Sequence, residues 1–536
     1  MPKWIAPWGL LPVLLLPLSL PAQSRADLII RGATLHDGSG EPGRKGDLAL
    51  RGERIVALGR LEGWRAPRVI EATGRILCPG FIDLHTHCDK VDRERFKANL
   101  NYLFQGVTTV VTGNCGGGRT DVAAYFAKLE KQGVGTNVIH LLPQGSLRRK
   151  AMKGSFDRPP RSGEMAKFEE LVESGMKAGA WGMSTGLEYA PGAYSTTDEL
   201  VRIVRIVARH GGLYASHMRS EGRGLLGAVE EAIEIGRRAG CPVHISHFKA
   251  SRPPNFGKSG AACTLIEWAR AKGQRVTCDQ YPYLASSTSL AAFTIPIWAR
   301  VGGNKALFAR LEEPETARRI KEEIATGLRE RGGPEKLLIS SNRTNPEWNG
   351  MTLGAVARAL GMDPVATILH LQRRSAPRAI SFSMSREDLL HIMKKDYVAT
   401  CSDGGCSLPS RVDEKGRRVP NPSRPHPRSY GAFPRKIGHW ALAEKAIGLG
   451  RAIRSATGLP AAILGLKERG RLQVGMIADL LVFDPEEFRD RATFTDPHRY
   501  ATGVVWLFVN GRAAIAEGKA TGVLAGRPLR LGAAGR

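Results

Sequence analysis

Apolar residues in this chain fall into two textures. Between Asp27 and Ile70 they come in short runs, Leu28-Ile29-Ile30, Leu48-Ala49-Leu50 and Ile55-Val56-Ala57-Leu58, separated by turn residues, which predicts strands. The glycine-rich stretch Gly38-Ser39-Gly40-Glu41-Pro42-Gly43 has no Gly-Lys-Ser/Thr ending and no helical pattern after it, so it reads as a hairpin turn and not a phosphate loop. From Arg75 onward, strand-like runs alternate with segments of helical period. Eight strand candidates are counted: Ile76 to His87, Val107 to Asn114, Asn137 to Leu142, Trp181 to Thr185, Leu213 to His217, Val243 to His247, Arg275 to Asp279 and Tyr397 to Asp403. Amphipathic segments such as Glu164 to Ala178, Glu199 to Arg209, Leu225 to Ala239 and Thr264 to Lys272 lie between most of them. Eight such alternations predict an α/β fold, a (β/α)8 TIM barrel with its reactive groups at the C-terminal strand ends.

A long insertion, residues 284–390, separates the seventh and eighth strands. Its helical patterns at Glu315 to Arg331 and Leu353 to Leu360 predict a lid or side subdomain. After about Leu466 short strands return, at Asp479 to Phe483 and Val504 to Val509, followed by the turn Asn510-Gly511. Neither end is long enough to bury a core alone. Residues 25–75 and 466–536 are therefore expected to pair into one small β-sandwich beside a barrel at 76–465.

Composition narrows the partners. The 536 residues carry 78 Lys and Arg against 51 Asp and Glu, a formal charge of +27. The basic residues are spread along the whole length, and no helix-turn-helix, zinc-finger or aromatic RNA-binding signature accompanies them. No nucleic acid partner is expected; a positive field that draws small anions to a cleft is. Lys3, the leucine-dense run Leu10 to Leu20 and the small residues of Ala22-Gln23-Ser24 read as a signal peptide over residues 1–24, with a mature protein that is periplasmic or secreted. Pro12 and Pro17 oppose a spanning helix, so no stable membrane association is expected after cleavage. Of the eight cysteines, Cys78, Cys115, Cys278 and Cys401 sit in or beside strand-like runs, and only Cys401 and Cys406 are closely spaced, which leaves room for one bridge between them.

The chemistry gathers at the strand ends. His85 and His87 are two apart on an extended segment and so face the same side. Cys115 follows the second strand, His217 closes the fifth, His247 the sixth and Asp403 the eighth. Four imidazoles, a thiolate and a carboxylate at one end of a barrel form a nitrogen- and sulfur-rich set that suits zinc.

The motifs Pro79 to His87, Gly106 to Gly116, Ser184 to Tyr189, Ser216 to Glu221, Ile245 to Lys249, Asp279 to Tyr283 and His426 to Arg435 resemble the amidohydrolase superfamily, and within it the D-aminoacylase (N-acyl-D-amino-acid deacylase) family. The resemblance runs from Asp27 to Leu531. It implies a tight zinc site at Cys115, His217 and His247, and a second, weaker position at His85 and His87 that shares Cys115. It also implies Asp403 as general acid and base, and Tyr189, Lys249, Tyr281, Ser287 and Arg428 as the groups that hold the carboxylate and amide of a small-molecule substrate. The activity implied is zinc-dependent hydrolysis of N-acyl-D-amino acids. Opening of a cyclic amide such as a hydantoin is the alternative on the same metal set, and a non-catalytic periplasmic binding protein is disfavoured by the retention of Asp403. Three departures from the family pattern stand out. Pro143-Gln144 replaces a Gly-His, leaving Gln144 to polarise a carbonyl by hydrogen bonding. Cys88 stands where an acidic residue is common. The stretch Gly404 to Arg424 is longer and more basic than usual and leans the reading toward an acidic or polar substrate.

Overall fold

The computed structural model describes residues 1–2, 24–154, 156–413 and 415–532, so the leader expected at 1–24 falls almost wholly outside the described residues. Eight parallel strands follow one another around a barrel: Phe81–Asp83, Val107–Thr112, Asn137–His140, Gly182–Gly186, Leu213–His217, Val243–Ile245, Val276–Gln280 and Val398–Thr400. The first three pair in register, as do the last five. Two hydrogen bonds complete the ring. Trp181 N donates to His140 O at 2.9 Å, and Asp403 N donates to His85 O at 2.9 Å.

The helices between the strands form for local reasons. The Thr196 hydroxyl caps Thr197–Arg209 by accepting from Glu199 N at 3.2 Å. Leu200, Ile203, Val204 and Val207 of that helix are fully buried on one face. Each such aliphatic contributes about 1.5–3 kcal/mol by leaving water. Leu225–Ala239 ends at Gly240, whose φ of 68° suits a residue without a Cβ.

The strand expected from Ile76 to His87 is in fact three short strands, the last of which, Thr86–His87, pairs parallel with Gly404–Gly405. Ile76–Pro79 pairs antiparallel with Leu480–Phe483, and only Phe81–Asp83 enters the barrel. Gly80 is the pivot, because a Cβ there would strike the side chain of Thr108. The terminal segments interleave in one nine-stranded sheet. Its order runs Lys519–Ala520, Arg512–Ala516, Val504–Val509, Leu480–Phe483, Ile76–Pro79, Leu28–Leu35, Arg44–Arg51, Arg54–Gly59, with Arg68–Glu71 also on Leu28–Leu35. Side chains alternate across it. Leu480 and Val482 join Ile30, Leu48 and Trp506 in the sandwich core, while Leu481 and Phe483 pack with Phe488 and with Phe81 of the barrel. Asn510 and Gly511, at φ 49° and 75°, make the tight hairpin between Val504–Val509 and Arg512–Ala516.

The insertion is a subdomain with its own core of Leu290, Ile320, Ile324, Leu337, Ile339, Val356 and Ile368. Besides the expected helices it holds an antiparallel sheet of Ser286–Ser289, Arg378–Ser381 and Leu337–Ser341. Ser286–Ser289 shows no apolar alternation because its side chains line a cavity instead of a core. The insertion also ends earlier than residue 390. Helix Arg386–Met393 belongs to the barrel, with Leu389 and Ile392 in the barrel core and Asp388 accepting from Gly257 N at 2.9 Å.

The bridge for which the spacing left room between Cys401 and Cys406 is not formed, and all eight cysteines are free. Cys401 is buried at the end of the eighth strand, whereas the Gly404-Gly405 step carries Cys406 away toward Cys88. No helix among the described residues is long and apolar enough to cross a membrane.

Candidate metal centre and substrate cavity

The reactive side chains stand just beyond the strand ends, where the backbone is bent to aim them. Cys115, His247 and Asp403 have positive φ, at 52°, 37° and 48°. Each such non-glycine residue costs on the order of 1–2 kcal/mol, which the surroundings must offset. Asp403 N is held by His85 O, His247 N donates to Asp279 Oδ1 at 2.5 Å, and Gly116 N donates to Ser184 Oγ at 3.0 Å. Gly186 permits the second loop to rest on the fourth strand, since a Cβ there would strike Cys115 O.

Cys115 Sγ is the centre of a shell of imidazoles. It lies 3.3 Å from His85 Nε2, 3.5 Å from His217 Nδ1 and 3.5 Å from His247 Nε2. A second group adjoins it: Asp403 Oδ1 is 3.1 Å from His87 Nε2 and 3.6 Å from His85 Nε2. His85 thus stands between the two groups, as close to Cys115 as the later histidines are. His85, Cys115 and His247 form one set whose donor atoms all lie within 4.8 Å of each other, and His85, His87 and Asp403 form another.

The outward ring nitrogens meet carboxylates. His217 Nε2 is 3.1 Å from Glu188 Oε2, His247 Nδ1 is 2.7 Å from Glu221 Oε1, and His85 Nδ1, buried without a hydrogen-bond partner, is 3.9 Å from Asp279 Oδ2. Carboxylates behind histidines fix the tautomer that leaves the other nitrogen free to ligate. Burial, reinforced by Asp403 and Glu221, pushes the Cys115 thiol well up, so a thiolate persists there only against a cation. Three inward imidazole nitrogens around a sulfur that requires a positive charge fit a zinc ion.

The carboxylates are ionised in spite of burial. Burial alone would raise Glu221, but Lys249 and His247 hold it far below the usual range. Asp279 is likewise brought down to about 2, against burial, by His244 and His85. For Asp403 burial is again outweighed, first by Arg428 and then by His247, His87 and His85, which leaves the carboxyl well below its ordinary value.

A cavity of about 1420 Å³ opens over these groups. Tyr189, Lys249, Tyr281, Ser287 and Arg428 all line it, as do His87, Cys115, His217, His247 and Asp403, while His85 lies behind them, fully buried. Tyr189 packs its ring 4.7 Å from that of His217. Lys249 Nζ sits 2.9 Å from His247 Nδ1, and Arg428 lies over the Tyr281 ring at 4.6 Å. Ser287 Oγ donates to Ala379 O at 3.0 Å. Arg428 is turned onto Asp403, with Nη1 2.8 Å from Oδ2, so at rest its fork faces the acid and not open solvent.

Gln144 does not reach the cavity. Its amide donates to Ser195 Oγ at 2.8 Å, and Ser195 leads to Glu199 and buried Arg148, so the carbonyl-polarising role expected of it is not available. Residues the motif reading had not assigned are Glu188, Glu221 and Asp279 behind the histidines and Arg378, which enters the cavity from the subdomain's middle strand. Glu188 and Glu221 stand inside the quoted motifs, but nothing in their spacing says that they reach an imidazole.

The profile of the Amidohydrolase family matches residues 68–279 and 418–515. D-aminoacylase of Alcaligenes xylosoxydans xylosoxydans is 35% identical over 531 residues, 95% of this chain and 98% of its own. N-acyl-D-glutamate deacylase of the same organism is also 35% identical, over 515 residues, 92% of this chain and 94% of its own. The crystal structure of N-acyl-D-glutamate deacylase from Bordetella bronchiseptica, complexed with zinc and a phosphonate mimic of the tetrahedral intermediate, matches with a TM-score of 0.80 at 32% identity, over 95% of this chain and all of that one.

Proposed function

The chain belongs to the amidohydrolase family, in its D-aminoacylase (N-acyl-D-amino-acid deacylase) branch, and from that premise we propose that it hydrolyses the amide bond of N-acyl-D-amino acids in a zinc-dependent reaction. The observation that carries the proposal is the placement of Asp403 between the imidazoles and Arg428, beside the thiol-centred shell of histidines. Cys115, His217, His247 and His85 would hold zinc, with His87 and Asp403 available to a second ion. Zinc bound there supplies Lewis acidity toward the amide carbonyl and lowers the pKa of water toward ~7.

The chain's own groups do the rest. Asp403, kept ionised by Arg428, accepts a proton from the attacking water and returns it to the leaving nitrogen, without which an amine cannot depart. Lys249, Tyr281 and Ser287 line the wall where the substrate's α-carboxylate and amide would be oriented. The D configuration rests on the relatives.

The charge of the cavity supports a substrate with an acidic side chain. Lys90, Arg95, Arg378, Arg411 and Arg418 line it. Its carboxylates are already matched: Glu188 with His217, Glu221 with Lys249 and His247, Asp403 with Arg428. An incoming dianion therefore meets a net positive wall, which favours its capture.

The test is an assay of zinc-loaded protein against N-acetyl-D-glutamate, N-acetyl-D-aspartate and N-acetyl-D-methionine, each paired with its L enantiomer. Release from the acidic D substrates first, and from no L substrate, is the expected result. Turnover of L substrates alone, or of none with zinc bound, overturns the reading.

A further inference from the structure

Cys88 and Cys406 take no part in the hydrolytic site, yet they meet at its rim. Cys88 directly follows His87, and Cys406 lies three residues after Asp403 and lines the cavity. Their backbones are neighbours in a short parallel ladder that pairs Thr86 with Gly404 and His87 with Gly405. Cys88 and Cys406 each follow the last pair of that ladder by one residue. Adjacent strands lie about 4.8 Å apart, inside the Cα separations of roughly 4.4–6.8 Å that a disulfide spans. The side chains agree with the backbone. Cys406 Sγ donates to Cys88 O at 3.5 Å, and both sulfurs are 3.9 Å from Asn99 Oδ1.

We propose that Cys88 and Cys406 are a dithiol that closes to a disulfide by exchange with a small-molecule disulfide such as oxidised glutathione. Cys406, which faces the cavity, is the thiol that the reagent reaches. Its thiolate attacks one glutathione sulfur, the glutathione S–S bond breaks, and one glutathione thiolate leaves. The Cys88 thiolate then attacks the Cys406 sulfur and expels the second glutathione. The two protein thiols lose two electrons between them, the reagent gains them, and the two thiol protons pass through solvent to the departing thiolates.

The bond joins residues 318 positions apart in sequence. It fastens the end of the first strand, with His87, to the segment that runs from Asp403 into the basic hairpin Ser410–Val412 and Arg418–Pro420. Cross-linking so long a loop restricts the unfolded chain strongly and so raises stability.

The experiment uses the purified full-length protein, equilibrated with oxidised glutathione or with dithiothreitol, then digested without reduction under acidic conditions and mapped by mass spectrometry. The oxidised sample is expected to yield a linked pair of peptides containing Cys88 and Cys406, and the reduced sample none. The melting temperature should rise by about 3 °C or more on oxidation. Cys406→Ser should abolish both the link and the rise. Complete alkylation of both thiols after oxidised glutathione, or a link from Cys406 to Cys401 instead, overturns the proposal without recourse to any variant.

Discussion

Arg428 Nη1 rests 2.8 Å from Asp403 Oδ2, so the acid meant to move protons is itself held by a guanidinium. The pair makes Asp403 a base that is ionised when substrate arrives. Asp403→Asn should lower kcat by roughly 10²–10⁴ while bound zinc, measured by elemental analysis, stays constant. Loss of zinc in step with activity would instead make Asp403 chiefly a holder of the ion.

Cys115 touches three imidazoles. Cys115→Ala should leave a folded protein, by circular dichroism, that retains less than about a tenth of the wild-type zinc after dialysis and has no measurable turnover. A variant that keeps its full complement of metal would show that the sulfur is not a ligand.

Glu221 acts through His247, whose Nδ1 it meets at 2.7 Å. Glu221→Gln removes the charge but preserves the shape. Zinc affinity, read by competition with a chelator, should weaken by roughly 10–100-fold. An unchanged affinity would mean that Lys249 is the only group Glu221 serves.

Arg378 lines the cavity from the subdomain and makes no ion pair among the described residues. Its side chain is exposed at the cavity wall, a cation placed to await an anion. Arg378→Met should cut kcat/KM for N-acetyl-D-glutamate by about tenfold or more and leave N-acetyl-D-methionine within roughly threefold. An equal loss for both substrates would assign Arg378 to packing.

Lys436 is 2% exposed, and burial pushes it down to about 7. Its ordinary value is ~10.4. Between those values the unfolded chain holds a proton that the folded chain does not, so stability rises with pH across that window. Below pH 7 both states are charged and the full cost of burial is felt. Lys436→Met should therefore stabilise the protein, on the order of 1 kcal/mol or more below pH 7, with the gain fading toward pH 10. Denaturant titrations at several pH values check both the sign and the slope.

What could be read from the sequence followed the regular part of the molecule. His85, His87, Cys115, His217, His247 and Asp403 announced themselves because barrel strands recur and five of the eight end in or beside one of these groups. The relations between those ends were not legible. Nothing in the order of residues says that His85 approaches Cys115 as closely as His247 does, or that Arg428 turns onto Asp403. Arg378 escaped notice because its strand lies in an insertion whose partner strand, Ser286–Ser289, carries no hydrophobic signature. Gln144 misled by position: it follows the third strand as expected, but its amide finds Ser195 before it finds the cavity. The single strand expected from Ile76 to His87 failed for a related reason, since an apolar run cannot show where a glycine pivot hands it from one sheet to another.

That handover has a consequence for how the protein is made. Ile76–Pro79, which leads directly into the first barrel strand, takes its antiparallel partner from Leu480–Phe483, some four hundred residues later on the ribosome's schedule. Until those late residues emerge, the entry to the barrel has an open edge, and the apolar face of Leu28–Leu35 lacks Leu480, Val482, Trp506 and Phe508 of its core. The nascent chain must therefore wait, with most of its barrel synthesised, for its own tail to seal it. Loss of the last sixty or so residues would be expected to leave an aggregating polypeptide even though every metal-binding and proton-moving side chain had already been translated.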